Sequence, residues 1–199
     1  AQKTIEGFNA SIVVELSATP PREANVLVRV TGQDLLKEEM IKLPINIAVS
    51  GVTDWKKCLA QAKDRRDALA EQAREIAGPL PLIRPIVLVQ AERTGKDQRE
   101  AGVVHAEDVK AHLIERLGVS EHEIAIKRSD KDDIEGIDLL DEGCRIQWIM
   151  TRSALQEGWD CPFAYILVSL MNTKSEQAMT QLVGRVLRQP FAQRSTAPE

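Results

Sequence analysis

From Pro85 onward the chain alternates short, almost wholly apolar runs with amphipathic stretches, and this rhythm limits the possible folds more than any other feature. "IVLVQ" spans 86 to 90, "IAIKRS" follows the helical pattern "HAEDVKAHLIERLG" that Gly118 ends, and "RIQWIMT" and "YILVSL" span 145 to 151 and 165 to 170. A strand with one wet face alternates apolar and polar residues, whereas one covered on both faces is apolar throughout. These runs are of the second kind. The expected fold class is therefore α/β, a parallel sheet with helices on both faces joined by right-handed crossovers. In such sheets the functional loops gather at the carboxyl ends of the strands.

Upstream, the β-branched run Ile12 to Leu16 in "SIVVELSATPP" predicts a buried strand, cut short by a Ser-Ala-Thr turn and by Pro20 and Pro21. Two more extended candidates follow, "VLVRV" from Val26 and "IKLPINIAV" from Ile41, separated by a polar acidic stretch; Pro44 marks the second as an edge or irregular strand. Asp54 then reads as the N-cap of a long helix. Trp55, Cys58, Leu59, Ala62, Leu69 and Ala73 recur at helical spacing, and Gly78, Pro79 and Pro81 end it. Its "KDRRD" face is expected to be solvated and laced with ion pairs. Trp55 and Trp148 are expected in the core, leaving Trp159 as the tryptophan placed for stacking on a base.

With 199 residues, 43% hydrophobic, the chain can bury a core of one domain or of one domain and part of another. Its net charge of -4 argues against a general basic coat, so any contact with a polyanion must come from a few placed donors. Three cysteines without a CxxC pair, and three histidines at no ligand spacing from them, predict a reduced, cytoplasmic protein without a metal site. No apolar run approaches the roughly 20 residues a membrane span requires, and no signal-peptide pattern opens the chain. The chain begins without methionine in an extended run and stops soon after an arginine-bearing helix, as a piece of a larger protein would.

Three stretches at strand ends carry potential chemistry: "SAT" at 17 to 19, "TRSALQEGWDCP" at 151 to 162, and "QLVGRVLRQP" at 181 to 190. In the last, Gln181, Arg185 and Arg188 fall on one stripe of a helix whose other side is apolar. Gly184 lies beside that stripe, although an interior glycine costs about 1 kcal/mol relative to alanine. Two arginines one turn apart offer forked donors matched to phosphate oxygens. The phosphate-cradling half is missing: Gly95-Lys96 is followed by Asp97 where Ser or Thr is needed, and no acidic Walker-B run follows a strand. A chain of this kind completes a nucleotide site and does not build one.

The order "SAT", "TRSALQEGWD", "QLVGRVLR" resembles motifs III, V and VI of superfamily 2 helicases and translocases. "EGWDCP", "Q..GR.LR.P" and the linking "EEMIKLPI" make it most similar to the Res subunit of type III restriction enzymes and related DEAD/DEAH-box-like helicases. The resemblance implies a RecA-like, P-loop NTPase fold. Residues 1–20 would end the first lobe, 21–84 would form a connector with a long helix, 85–190 would be the second lobe, and 191–199 a tail. It implies that Gln181 and Arg188, with Arg185 beside them, face the γ-phosphate of ATP. Gly158, Asp160 and Gly184 would approach the nucleotide and the lobe interface, Thr151 and Gln90 would serve nucleic-acid binding, and Ser17 and Thr19 would couple hydrolysis to movement. The implied cofactors are ATP and Mg2+, held mainly by a first lobe. The implied partners are DNA, that first RecA-like lobe of the same chain, and a modification (methyltransferase) subunit. A stand-alone helicase with no part in restriction, and a non-hydrolytic Rossmann-like scaffold, remain alternatives.

Overall fold

A computed structural model describes residues 7–17, 20, 22–42, 45–48, 54–76, 83–91, 104–127, 132–151, 161–170, 180, 182–184 and 186–190. The chain divides into two units, Ala1–Thr31 and Gly32–Glu199. In chain order the second unit carries α1 (Gly32–Lys37), α2 (Trp55–Ile76), β1 (Ile86–Gln90), α3 (Ala106–Glu115), β2 (Ile124–Lys127), β3 (Trp148–Thr151) and β4 (Ala164–Ser169).

The four strands form one sheet in the order β2-β3-β1-β4, every neighbouring pair parallel. Each apolar run from Pro85 onward thus becomes a strand where the pattern placed it, and the α/β class with a parallel sheet holds. Val87, Val89, Ile124, Ile126, Trp148, Met150 and Val168 project to one face, where Leu59 and Ala62 of α2 and Val109 and Leu113 of α3 cover them. Ile86, Leu88, Ala125, Ile149 and Ala164 project to the other. There the cover is mixed: Ile134, Leu139 and Ile146 come from a run of turns between β2 and β3, and Leu182 from the terminal helical segment. The chain passes from β1 to β2 over the first face and returns to β3 over the second, as crossovers of one hand must when direction reverses.

Helix α2 begins immediately after Asp54 and stops at Ile76, before the glycine and prolines. Its first half supplies the buried residues, while Trp55 and Cys58 pack half-buried and the Trp55 ring meets His112 of α3 edge-on at 5.3 Å. The charged "KDRRD" face carries the expected Lys63–Asp67 pair at 2.8 Å. Arg66 departs from the solvated reading, since it reaches Gln147 at the start of β3 as well as Asp67. Helix α3 ends ahead of Gly118, whose φ of +67° is the left-handed geometry that lets a glycine turn the chain away from a helix.

Among the described residues the upstream strands are not found. Ile12 to Leu16 and Val26 to Val30 run without regular structure and are exposed, and of the described residues of "IKLPINIAV" only Ile41 makes a bridge, antiparallel to Arg188. A β-branched run supplies propensity, but a strand exists only where a neighbour completes its ladder and a surface covers its face. Among the described residues nothing does either for these runs. The polar stretch between the second and third contains a helix the sequence pattern did not suggest, the six-residue α1.

Candidate functional site

At the carboxyl end of the sheet the last rung breaks the apolar pattern. Lys127, Thr151, Gln90 and Ser169 stand in register across β2, β3, β1 and β4, directly after the apolar rung Ile126, Met150, Val89 and Val168. Gln90 and Thr151 are 5% and 2% exposed. The Ser169 hydroxyl donates to the Gln90 carboxamide oxygen at 3.0 Å, and the Gln90 carbonyl accepts the Leu170 N–H at 2.8 Å. The Thr151 carbonyl accepts from Ala91 at 3.1 Å. Buried polar groups are costly unless bonded, so these bonds tighten the carboxyl ends of β1, β3 and β4. Gln90 and Thr151 are enclosed at this rung, whereas Lys127 is half-buried and Ser169 exposed.

Lys127 closes the row on the outer side by pairing with Asp132. That ammonium, as hydrogen-bond donor and as charge, outweighs burial and holds the Asp132 carboxyl below the ordinary carboxylate range, aided by the Ile134 and Glu135 amides. The neighbouring Asp133 acts as a substitute strand: its N–H donates to the Ile126 carbonyl at 3.0 Å while its carboxylate accepts the Ile126 N–H at 3.0 Å. The outward edge of β2 is thereby occupied, which protects it from pairing with other chains.

The arginine segment packs over the second face of the sheet. Residues 180, 182–184 and 186 are helical; Leu182 is buried and Val186 packs half-buried against the core, whereas Thr180, Gly184 and Arg188 are exposed. The apolar side of the predicted helix packs inward at Leu182 and Val186; of the predicted polar stripe only Arg188 is among the described residues. Arg188 lies just past the helical residues, its backbone bridging to Ile41, so it leaves the helix end and not the middle of a helical stripe. A β-carbon placed on Gly184 would meet nothing within 4 Å. Packing within this chain therefore does not require glycine there, and helix propensity alone favours alanine.

Gln181, Arg185, Gly158, Asp160, Thr19 and Trp159 lie outside the described residues. Ser17 is exposed and belongs to the first unit. Among the described residues no three His, Cys, Asp or Glu side chains stand close enough to hold a metal ion, and no helix is long and apolar enough to cross a membrane.

Sequence reasoning missed Lys42. Its ammonium donates to the carbonyls of Pro162, Ala164 and Val186 at 2.6, 2.8 and 2.9 Å and sits 4.1 Å above the Tyr165 ring. Burial pushes the Tyr165 hydroxyl up to about 12, so this ring stays neutral beneath the cation. A lone lysine inside the apolar "IKLPI" was the available signal. Ser169 carried none, being one hydroxyl in an apolar run.

Compared with family models, curated proteins and solved structures, the chain matches none.

Proposed function

We propose that this chain is the second, RecA-like lobe of a cytoplasmic ATP-dependent DNA translocase of superfamily 2, similar to the motor of a type III restriction Res subunit. The observation that carries the reading is the meeting of motif and topology. The "TRSALQEGWDCP" stretch begins at Thr151, the carboxyl end of β3 beside Gln90, and the "QLVGRVLR" segment lies on the same sheet with Gly184 and Arg188 exposed. A parallel sheet offers its carboxyl ends to ligands, and an exposed guanidinium beside an open glycine suits a phosphate approaching the backbone closely.

In this reading Arg188 supplies positive charge to the γ-phosphate of the substrate ATP as charge develops there. Gly184 admits the nucleotide or the facing lobe, and Gln90 and Thr151, at the carboxyl ends of β1 and β3, stand on the side that meets DNA. Mg2+ and the phosphate cradle belong to the first lobe. The chain alone is expected to hydrolyse no ATP and to bind DNA weakly, with affinity falling steeply as salt rises. Joined to a first lobe bearing Walker motifs, it is expected to support DNA-stimulated turnover. Turnover by the purified chain alone, or none by the joined protein, would end this reading. Gly184→Ala adds a sharper test: it should stabilise the chain by about 0.5–1 kcal/mol while lowering turnover of the joined protein. A variant equally stable and equally active would remove Gly184 from the site.

A further inference from the structure

Phe163 directs its carbonyl inward, accepting the Ile86 N–H at 2.7 Å. Pro162 and Phe163 lie in a turn closed by the Ala164 N–H on the Cys161 carbonyl at 2.9 Å, and the Pro162 and Ala164 carbonyls turn instead to the Lys42 ammonium beside β4, the edge strand of the sheet. Among the described residues no strand pairs with that edge. The sheet is further disturbed here by a register shift that leaves Tyr165 without a partner between the pairs Ile86–Ala164 and Val87–Ile166. The third acceptor, Val186, is at the end of the terminal helical segment, where carbonyls lack helical donors and a cation is favoured by the helix dipole.

We propose that Lys42 is the positioning residue of the arginine segment, its ammonium pinning the Val186 carbonyl to the Pro162 and Ala164 carbonyls at the edge of β4. The backbone works in the same direction: the Lys42 N–H donates to the Leu187 carbonyl at 2.8 Å, and Ile41 bridges to Arg188. Both residues flanking Val186 on its carboxyl side are thus held by the 41–42 segment. Pro162 precedes β4 and Ala164 opens it, so one ammonium joins the start of that strand to the base of Arg188. The connector preceding α2 would in this way set the position of two separate motifs at once. The inference rests on the reading of Arg188 as a phosphate ligand for its catalytic consequence, but the clamp itself does not.

Arg84 provides a matched comparison. Its guanidinium also donates to three carbonyls, those of Leu139, Asp141 and Ile146 at 2.6, 3.1 and 3.3 Å, none of them in the arginine segment, and lies 5.7 Å from the Phe163 ring without bonding the carbonyls that Lys42 holds. Hydrogen exchange of Lys42→Met and Arg84→Met, made in the joined protein, separates positioning from general loss of stability. In Lys42→Met, peptides covering 183–188 should exchange about tenfold faster while 86–90 and 148–151 keep their protection. The kcat for ATP should fall about 100-fold with little change in KM, as expected for a displaced reacting group. Arg84→Met should lower Tm and leave both the 183–188 exchange and kcat alone. Unchanged exchange at 183–188 in Lys42→Met, or equal acceleration in both variants, overturns the proposal. If Lys42→Met loses protection throughout the sheet, Lys42→Gln, which retains donors, gives the same comparison. Faster exchange confined to Lys42→Met in a joined protein that hydrolyses no ATP would uphold the clamp and reject the motor reading.

Discussion

Arg188→Ala is expected to reduce DNA-stimulated ATP turnover of the joined protein by about 10³- to 10⁵-fold, the range over which an arginine finger acts. The side chain is exposed and lies beyond Leu182 and Val186, which pack the segment onto the sheet. Its removal should therefore change the stability of the chain by no more than about 0.5 kcal/mol. The bridge to Ile41 is made by backbone and survives the substitution. Arg188→Lys should be nearly as damaging, because an ammonium cannot reproduce a forked contact with phosphate oxygens. Arg145→Ala is the control: the same charge is lost from an exposed position ahead of β3, outside the arginine segment. Near-normal turnover in Arg188→Ala would remove this segment from the ATP interface.

The largest effect on folding is expected from Trp148→Ala. Trp148 is 1% exposed on an interior strand, flanked by β2 and β1, and belongs to the cluster that α2 and α3 cover. Truncating a buried tryptophan costs about 3–5 kcal/mol, through lost transfer energy and the cavity left behind. A domain of ordinary stability has about 5–15 kcal/mol in all, so the denaturant midpoint should fall by about a fifth or more. Trp148→Phe keeps a ring in the same space and should cost well under half as much. A loss below about 1 kcal/mol for Trp148→Ala would mean that this face of the sheet is not the core described here. Trp148 was one of three tryptophans that could have stacked on bases, and its burial removes it from that role.

The sheet was legible because its strands carry their environment in their composition. A segment buried on both faces must be apolar at every position, and "IVLVQ" and "RIQWIMT" meet that condition without help from the rest of the chain. Helix ends were legible for a similar reason, since Gly118 and the residues after Ile76 act locally on the backbone. The run from Ile12 to Leu16 has the same composition as a strand and forms none, because propensity does not supply the neighbour to which a strand must bond. Strand order was equally hidden. Nothing within β1 states that β3 and β4, and not β2, will lie beside it.

The candidate site divides along the same line. Sequence by itself determined the residue types and their order: an apolar helix side with Leu182 and Val186, an arginine at the end of that segment, and polar residues ending apolar strands. Helical periodicity and strand length are local properties, so these assignments needed no partner. Only the tertiary structure decided that Gln90, Thr151 and Ser169 form one bonded row, that Arg188 stands just beyond its helix, and that Lys42 reaches across 144 positions to Val186. Those facts depend on which orphan carbonyls end up close together, and that is set by packing two sheet faces against residues distant in the chain.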